Sequence, residues 1–307
     1  MKNNITLFIK FGFAVVIIVL ISGFVFNFER LTVHKTYGEE SMYKVYALEL
    51  PDDLSFAGEK VMLQSPDLRE RLDRELLVNT YWQSNMMLLI KRANKYFPTI
   101  EKILAEEGIP TDLKYLAVIE SGLENVISPS GAKGIWQIMR TTGREYGLEV
   151  NSNVDERFHL EFSTRMAAKY LKKARDKFGS WTLAAASYNR GISGIQRKLN
   201  IQKVDSYFDL KLGQETSRYV FRVLAVKEII ENPPKYGYVF DKSDLYSNVP
   251  VRYYGLDTAI SNLATFAHKM GVNYKILKIH NPWLLQNHLN NRSRKYYEIA
   301  IPEKGYY

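Results

Sequence analysis

From Phe11 to Phe26 the chain carries no charge, and with the apolar residues from Ile5 onward the run is long enough to cross roughly 30 Å of hydrocarbon. Lys2 and Lys10 precede it and Glu29 follows it, a flanking pattern that keeps the N-terminus cytoplasmic and exports the rest. A cleaved signal peptide is the competing reading. Only Ser22 and Gly23 are small near the end of the run, however, and aromatics follow them, so residues 1–28 are expected to be a retained membrane anchor. Residues 29–64 show no sustained period and predict a spacer, with a turn at Pro51-Asp52-Asp53. The pattern changes at Ser65-Pro66. An N-cap serine and a first-turn proline open a helical periodicity that runs with few breaks to Asn232. Pro233-Pro234 stops the last helix, and residues 233–250 are expected to be a linker. Beyond it, alternation predicts strands at 251–254 and 296–301, and periodicity predicts helices at 259–270 and 275–280, the second closing at Asn281-Pro282. The expected fold class is therefore mainly α over 65–232, followed by a small α+β unit of βααβ order over 251–303.

Composition narrows the chemistry. Forty-two Lys and Arg against thirty-three Asp and Glu give a net charge of +9 over 307 residues, which favours an anionic partner. Export weights an envelope polymer over nucleic acid. Cysteine is absent, which removes thiol nucleophiles, disulfides, Cys-zinc sites and a lipid-modified cysteine. His34, His159, His268, His280 and His288 lack ligand spacing, and no H-E-x-x-H or G-x-S-x-G motif occurs, so no metal and no cofactor is expected.

One carboxyl stands out. Thr111 is placed to cap a helix on which Leu113, Leu116, Ala117 and Glu120 share one face. Gly122 is placed to end that helix, which sets Glu120 in the last turn, at the negative pole of the helix dipole. Burial and dipole both raise its pKa, as a general acid requires. A structural buried glutamate bonded to a neighbour fits the same position. Glu124, beyond the glycine, is expected to be solvated. Downstream, residues 128–137 form a glycine-punctuated loop that contains Ser128, Ser130 and Gln137, and either lines a groove or makes an ordinary turn. Residues 180–189 read as a helix with small packing residues and Tyr188 and Asn189 at its tip. Tyr219 continues along a buried stripe with Val223, Val226 and Ile230, and its phenol needs a partner. Arg218 and Arg222 are expected on a solvated face, and Asp155-Glu156-Arg157 as a cluster that caps or braces a helix.

Taken in order, Ile119-Glu120-Ser121-Gly122, the Ser-Pro-Ser-Gly-Ala-Lys-Gly loop, Gly134-Ile-Trp-Gln137, Ser187-Tyr188-Asn189-Arg-Gly191 and Glu215-Thr-Ser-Arg-Tyr219 resemble the lytic transglycosylases of the soluble lytic type. The likeness is strongest to the membrane-bound class that carries LysM repeats, and it covers residues 96–232. It implies a lysozyme-like helical domain acting on peptidoglycan, with Glu120 as the family's single acid and base. It also implies that Ser128, Ser130, Gln137, Tyr188 and Asn189 line the glycan groove and that Tyr219 orients the catalytic carboxyl. Trp136 stands where many members have Met, and Ser187 and Arg190 where Ala is common. The C-terminal unit resembles a LysM module through Asp257-Thr258, Ala264, Ala267, Asn281-Pro282 and Ile299-Ala-Ile301-Pro302, although Gly255-Leu256-Asp257-Thr258 holds one residue more than the usual Gly-Asp-Thr.

The implied activity is cleavage of the N-acetylmuramic acid to N-acetylglucosamine bond with 1,6-anhydro ends, at the periplasmic face of the inner membrane. The alternatives are a muramidase-type hydrolase, for which Asp155, Glu156 or Glu161 would supply a second carboxylate, and a noncatalytic peptidoglycan-binding envelope protein.

Overall fold

The computed structural model describes residues 45–303. Among these residues no helix is long and apolar enough to cross a membrane, and the segment expected to be the anchor lies outside them. In chain order the elements are β1 (Ser55–Phe56), β2 (Glu59–Lys60), α1 (Pro66–Tyr81), α2 (Gln83–Glu106), α3 (Lys114–Ser121), α4 (Arg140–Glu145), α5 (Leu160–Phe178), α6 (Trp181–Arg190), α7 (Ile192–Gln202) and α8 (Gln214–Glu231). Then follow β3 (Val251–Leu256), α9 (Leu263–Lys269), α10 (Tyr274–His280) and β4 (Tyr297–Pro302). The chain is mainly helical with a small C-terminal sheet.

Local chemistry sets several helix ends. Ser65 caps α1 by accepting from the Leu68 amide at 3.3 Å, with Pro66 in the first turn. Thr111 does not cap α3. It opens a 3-10 turn (Thr111–Leu113) with no side-chain cap, and α3 follows from Leu113. In α6 the small residues Ala184, Ala185 and Ala186 are fully buried, which lets α5 and α8 approach closely. The main core is built on α8, whose Tyr219, Val220, Val223, Leu224 and Val226 are buried, and on the facing sides of α1, α3 and α6.

Two stretches without period fold against this core. In the segment expected as a spacer, Leu54, Phe56 and Val61 are buried in it. Glu59 reaches the N-terminus of α6, where its carboxylate accepts from the Thr182 amide (3.0 Å), the Thr182 hydroxyl (2.7 Å), the Ser180 hydroxyl and the Trp181 amide. Burial alone would raise the Glu59 pKa, but these donors outweigh it and hold the carboxyl below its ordinary range. In the segment expected as a linker, Tyr236 and Tyr238 are buried, and Tyr238 donates to the Thr80 carbonyl at 2.5 Å. Asn248 donates to the Lys95 carbonyl and Asn94 to the Tyr246 carbonyl. This segment is strapped down rather than free.

The C-terminal unit pairs β3 with β4 antiparallel, in a register that runs from Val251 opposite Pro302 to Leu256 opposite Tyr297. α9 and α10 lie between them in sequence. Asn262 and Asn273 cap these helices by accepting from the Thr265 and Ile276 amides, each at 2.9 Å. The unit's own core of Leu263, Leu277, Trp283, Ile299 and Ile301 also takes in Val154 and Phe158 from the helical part.

Candidate active site

Gly122 ends α3 in the left-handed region, at φ 62°, a conformation that costs a residue with a Cβ about 1 kcal/mol or more. The half-buried side chain of Glu120 therefore stands in the last turn, next to a chain reversal. From α8 the buried Tyr219 donates its hydroxyl to Glu120 Oε1 at 2.6 Å. Burial pushes the Glu120 carboxyl up to about 7, the Tyr219 hydrogen bond and the Arg222 guanidinium pull it back, and the Glu215 charge adds to the rise. A carboxyl poised there is partly protonated at neutral pH, and so can donate a proton in one step and accept one in the next.

The surrounding frame is held by backbone carbonyls. Tyr188, at the end of α6, donates to the Trp136 carbonyl at 2.8 Å, and burial, with the Glu120 charge in addition, keeps its phenol protonated. Tyr170 supports it edge-on, with ring centroids 5.5 Å apart, and donates to the Ser187 carbonyl. Asn189 accepts from the Thr216 hydroxyl at 2.7 Å, which ties the end of α6 to the start of α8. Ser121 donates to the Ile135 carbonyl at 2.7 Å, fastening the residue after Glu120 to the glycine-punctuated loop.

That loop is tightly built. Gly134, at φ 79°, lies so close to the Arg157 backbone that a Cβ would fall 1.9 Å from its carbonyl oxygen. Gln137 is left-handed at φ 47°, and its amide donates to the Gly134 and Val126 carbonyls at 2.8 and 3.2 Å. The indole N–H of the fully buried Trp136 donates to Thr164 at 2.9 Å, so the larger ring is accommodated by a threonine on α5. Ser128 lies 2.9 Å from the Ser130 hydroxyl and accepts from the Ala132 amide.

The fold thus brings Glu120, Tyr219 and Tyr188 into one electrostatic cluster and links Asn189 to it through Thr216. Ser128, Ser130 and Gln137 make their hydrogen bonds within their own loop. The expected solvated arginines are placed differently: Arg218 forms an ion pair with the buried Glu75 (Nε to Oε1, 2.7 Å), and Arg222 pairs with Glu215 while acting on Glu120. Arg222 lies one turn after Tyr219, a spacing visible in the sequence that carries no sign of which neighbour the guanidinium meets. Glu124 is exposed, as expected, yet pairs with Arg92 at 2.6 Å. A cavity of about 350 Å³ opens beside the end of α3. Ile119, Ser121 and Gly122 line it with Arg222 and residues of α1 and α2.

Comparisons with known proteins find two family matches along the chain. Residues 98–209 match the family described as the Transglycosylase SLT domain, and residues 252–305 match the soluble lytic transglycosylase C-terminal LysM-like domain. The chain is similar to membrane-bound lytic murein transglycosylase D of Escherichia coli (strain K12), 27% identical over 259 residues, which covers 81% of this chain and 55% of the relative. It therefore spans about half the length of that curated relative. It is also similar to a putative tributyltin chloride resistance protein of Alteromonas sp. (strain M-1), 26% identical over 151 residues, 46% of this chain and 71% of the other. The solved structure of an inactive mutant of lytic transglycosylase Slt from Pseudomonas aeruginosa aligns at a TM-score of 0.35 and 20% identity, over 49% of this chain and 26% of that one. The stretch that matches the Transglycosylase SLT domain thus contains Glu120, and the stretch that matches the LysM-like domain covers the C-terminal unit.

Proposed function

We propose that the chain is a peptidoglycan lytic transglycosylase. It cleaves the β-1,4 bond between N-acetylmuramic acid and N-acetylglucosamine and leaves 1,6-anhydro-N-acetylmuramic acid ends. The observation that carries this reading is the pairing of Glu120 with Tyr219, which holds in place one carboxyl that burial pushes up to about 7. In the first step Glu120 gives its proton to the glycosidic oxygen as the bond to C1 of the muramoyl ring breaks. The resulting carboxylate then takes the proton of the 6-hydroxyl of the same sugar as that oxygen bonds to C1. The nucleophile is tethered to the reacting ring, so its effective concentration replaces a positioned water. Tyr219 stabilises the carboxylate between the two steps, and Tyr188, Asn189, Gln137, Ser128 and Ser130 form the groove that receives the strand.

A hydrolase would need a second carboxylate across the bond. Asp155 and Glu156 are committed elsewhere, to Arg157 and Lys133 and to Lys295 respectively, and the charge of Glu161 acts on Tyr253 of β3. Glu215 does act on Glu120, but it is engaged by Arg222. With the N-terminal segment as an inner-membrane anchor, the catalytic part faces the periplasm and serves wall turnover or remodelling.

Mass spectrometry of muropeptides released from purified peptidoglycan tests the assignment. Anhydro products are expected, and Glu120→Gln should reduce their release roughly 10²- to 10⁴-fold. Products heavier by one water would make the chain a hydrolase, and intact glycan would make it a noncatalytic wall binder.

A further inference from the structure

Trp82 stands between α1 and α2, where the backbone leaves helical geometry (φ −86°, ψ 61°). It is 60% exposed, an unusual cost for the largest apolar side chain on an otherwise well-packed helical pair. It forms one wall of the 350 Å³ cavity beside the Glu120 helix, which is close to the lower end of the range for small-ligand pockets. Val78 extends the apolar wall, and Asn79 and Asn85 supply amides. The Asn79 side chain donates to the Glu75 carbonyl, and Asn85 is half-buried at the start of α2. These residues lie outside the 98–209 match to the SLT domain.

The charges around the cavity decide what it suits. Arg92 is paired with Glu124, Arg218 with Glu75 and Arg222 with Glu215. Its arginines are thus already neutralised, so the cavity is a poor trap for an anion. What remains is an aromatic face beside uncharged amides. A pyranose ring presents C–H groups on one face and hydroxyls and an acetamido group at its edge, so an indole covers the first while amides bind the second.

We propose that Trp82, with Asn79 and Asn85, forms a binding subsite for an N-acetylhexosamine ring of the glycan strand, one that lies beyond the sugars at Glu120 and is contributed by the leading helices. The inference rests on the glycan-cleaving reading of the Glu120 site and adds where a longer strand is gripped. Proximity supports this occupant, because the cavity is lined by Ile119, Ser121 and Gly122, the chain neighbours of Glu120, and by Arg222, whose charge acts on the Glu120 carboxyl, while that carboxyl is itself outside the lining.

The test uses the full chain carrying Glu120→Gln, titrated with the N-acetylglucosamine hexamer and followed by calorimetry and tryptophan emission. Trp136 and Trp283 are buried, and Trp181 is half-buried beside Arg175 at the start of α6, so an emission change on binding should come mainly from Trp82. By calorimetry, Trp82→Ala is expected to weaken hexamer binding about tenfold, with Trp82→Phe recovering part of the loss. In the cleaving chain, Trp82→Ala should raise KM for long glycan strands by a similar factor while kcat on short fragments and the melting temperature stay unchanged. Unaltered hexamer affinity and KM in Trp82→Ala, while the parent still cleaves glycan, would overturn the subsite alone. A melting temperature lowered by Trp82→Ala would overturn it too, by making Trp82 structural. Failure of the parent chain to cleave or bind any glycan would instead overturn the function, and the subsite with it.

Discussion

The molecule holds its carboxylates in two unlike ways. At the end of α3, Glu120 has a phenol as its hydrogen-bonding partner and sits at a pKa near 7. Along the seam with the C-terminal unit, acidic groups meet cations directly. Asp155 accepts from Arg157 through both oxygens, at 2.9 and 2.8 Å, with Lys133 3.3 Å away. Lys295 of the C-terminal unit bridges Glu149 at 2.7 Å and Glu156 at 2.6 Å. Burial acts to raise the Glu149 pKa, but hydrogen bonds from Lys295, Tyr297 and Asn151 prevail and hold it below the ordinary carboxylate range. The difference separates chemistry from architecture. A partly buried carboxyl without a bonded cation keeps a proton it can transfer, while one saturated by cations keeps its charge and serves as a fastener.

The seam also defines what the LysM-like unit does in this fold. Asn153 holds the Asn290 amide and the His288 carbonyl, and the Asp155 amide donates to the Trp283 carbonyl. The same strand of chain leads into Arg157, whose guanidinium donates to the Gly131 carbonyl of the glycine-punctuated loop and to the Ile138 carbonyl just after it. The C-terminal unit is thus coupled mechanically to that loop, as a brace. Asp155→Asn should break this arrangement most severely. It leaves the buried Arg157 without its full counter-charge, a loss of about 3 kcal/mol. Urea unfolding should show it, and the fraction that stays folded should still cleave glycan.

The Glu120 end should respond in the opposite direction. Its folded pKa near 7 exceeds its reference value of 4.5, so between these values the native state binds more protons than the unfolded chain. Stability therefore falls as pH rises through that window, and it levels off once the folded group has ionised. Glu120→Gln removes the penalty. The variant should be more stable than the parent by roughly 2 to 3 kcal/mol near pH 8, with the gap closing on acidification toward the reference value. Paired unfolding curves across pH check this, and an equal gap at every pH would show that the carboxyl is not held near neutrality.

How much of this is legible in the sequence follows from the range of the interactions. The position of Glu120 two residues before Gly122, and the buried stripe carrying Tyr219, come from helical periodicity and from motif order, so both members of the central pair stand out in the chain itself. Periodicity is silent about partners far apart in the chain. Glu59 lies in an irregular stretch, and nothing local marks it as the acceptor for the α6 N-terminus more than a hundred residues later. The sequence places Arg222 on a solvated face because Glu120 meets it only after α3 packs against α8, whereas its ion-pair partner Glu215 lies two turns earlier on the same helix. The same limit hides the folding of the expected spacer and linker, whose apolar residues, Phe56 and Tyr238 among them, are spaced without a sustained period. Thr111 fails as a cap for a local reason: a 3-10 turn intervenes before α3.

The smallest expected effect tests whether the seam is fastened by charge or by packing. Lys295 is 41% exposed, so its two ion pairs are screened and together contribute only about 1 kcal/mol. The apolar contacts of Trp283, Ile299 and Val154 beneath them carry more of the docking. Lys295→Ala should therefore cost about 1 kcal/mol near neutral pH, leave the C-terminal unit docked and leave cleavage unchanged. The cost should also depend on pH with a definite sign. The Glu149 pKa is depressed in the folded chain, so its stabilisation is present above the ordinary carboxylate value and is lost as pH falls through the lowered one. The parent and Lys295→Ala should thus converge in stability under acid, as paired urea unfolding curves would show. A persistent gap at low pH would assign the contribution of Lys295 to the packing of its methylenes over the Tyr297 ring, whose centroid lies 5.2 Å from the ammonium.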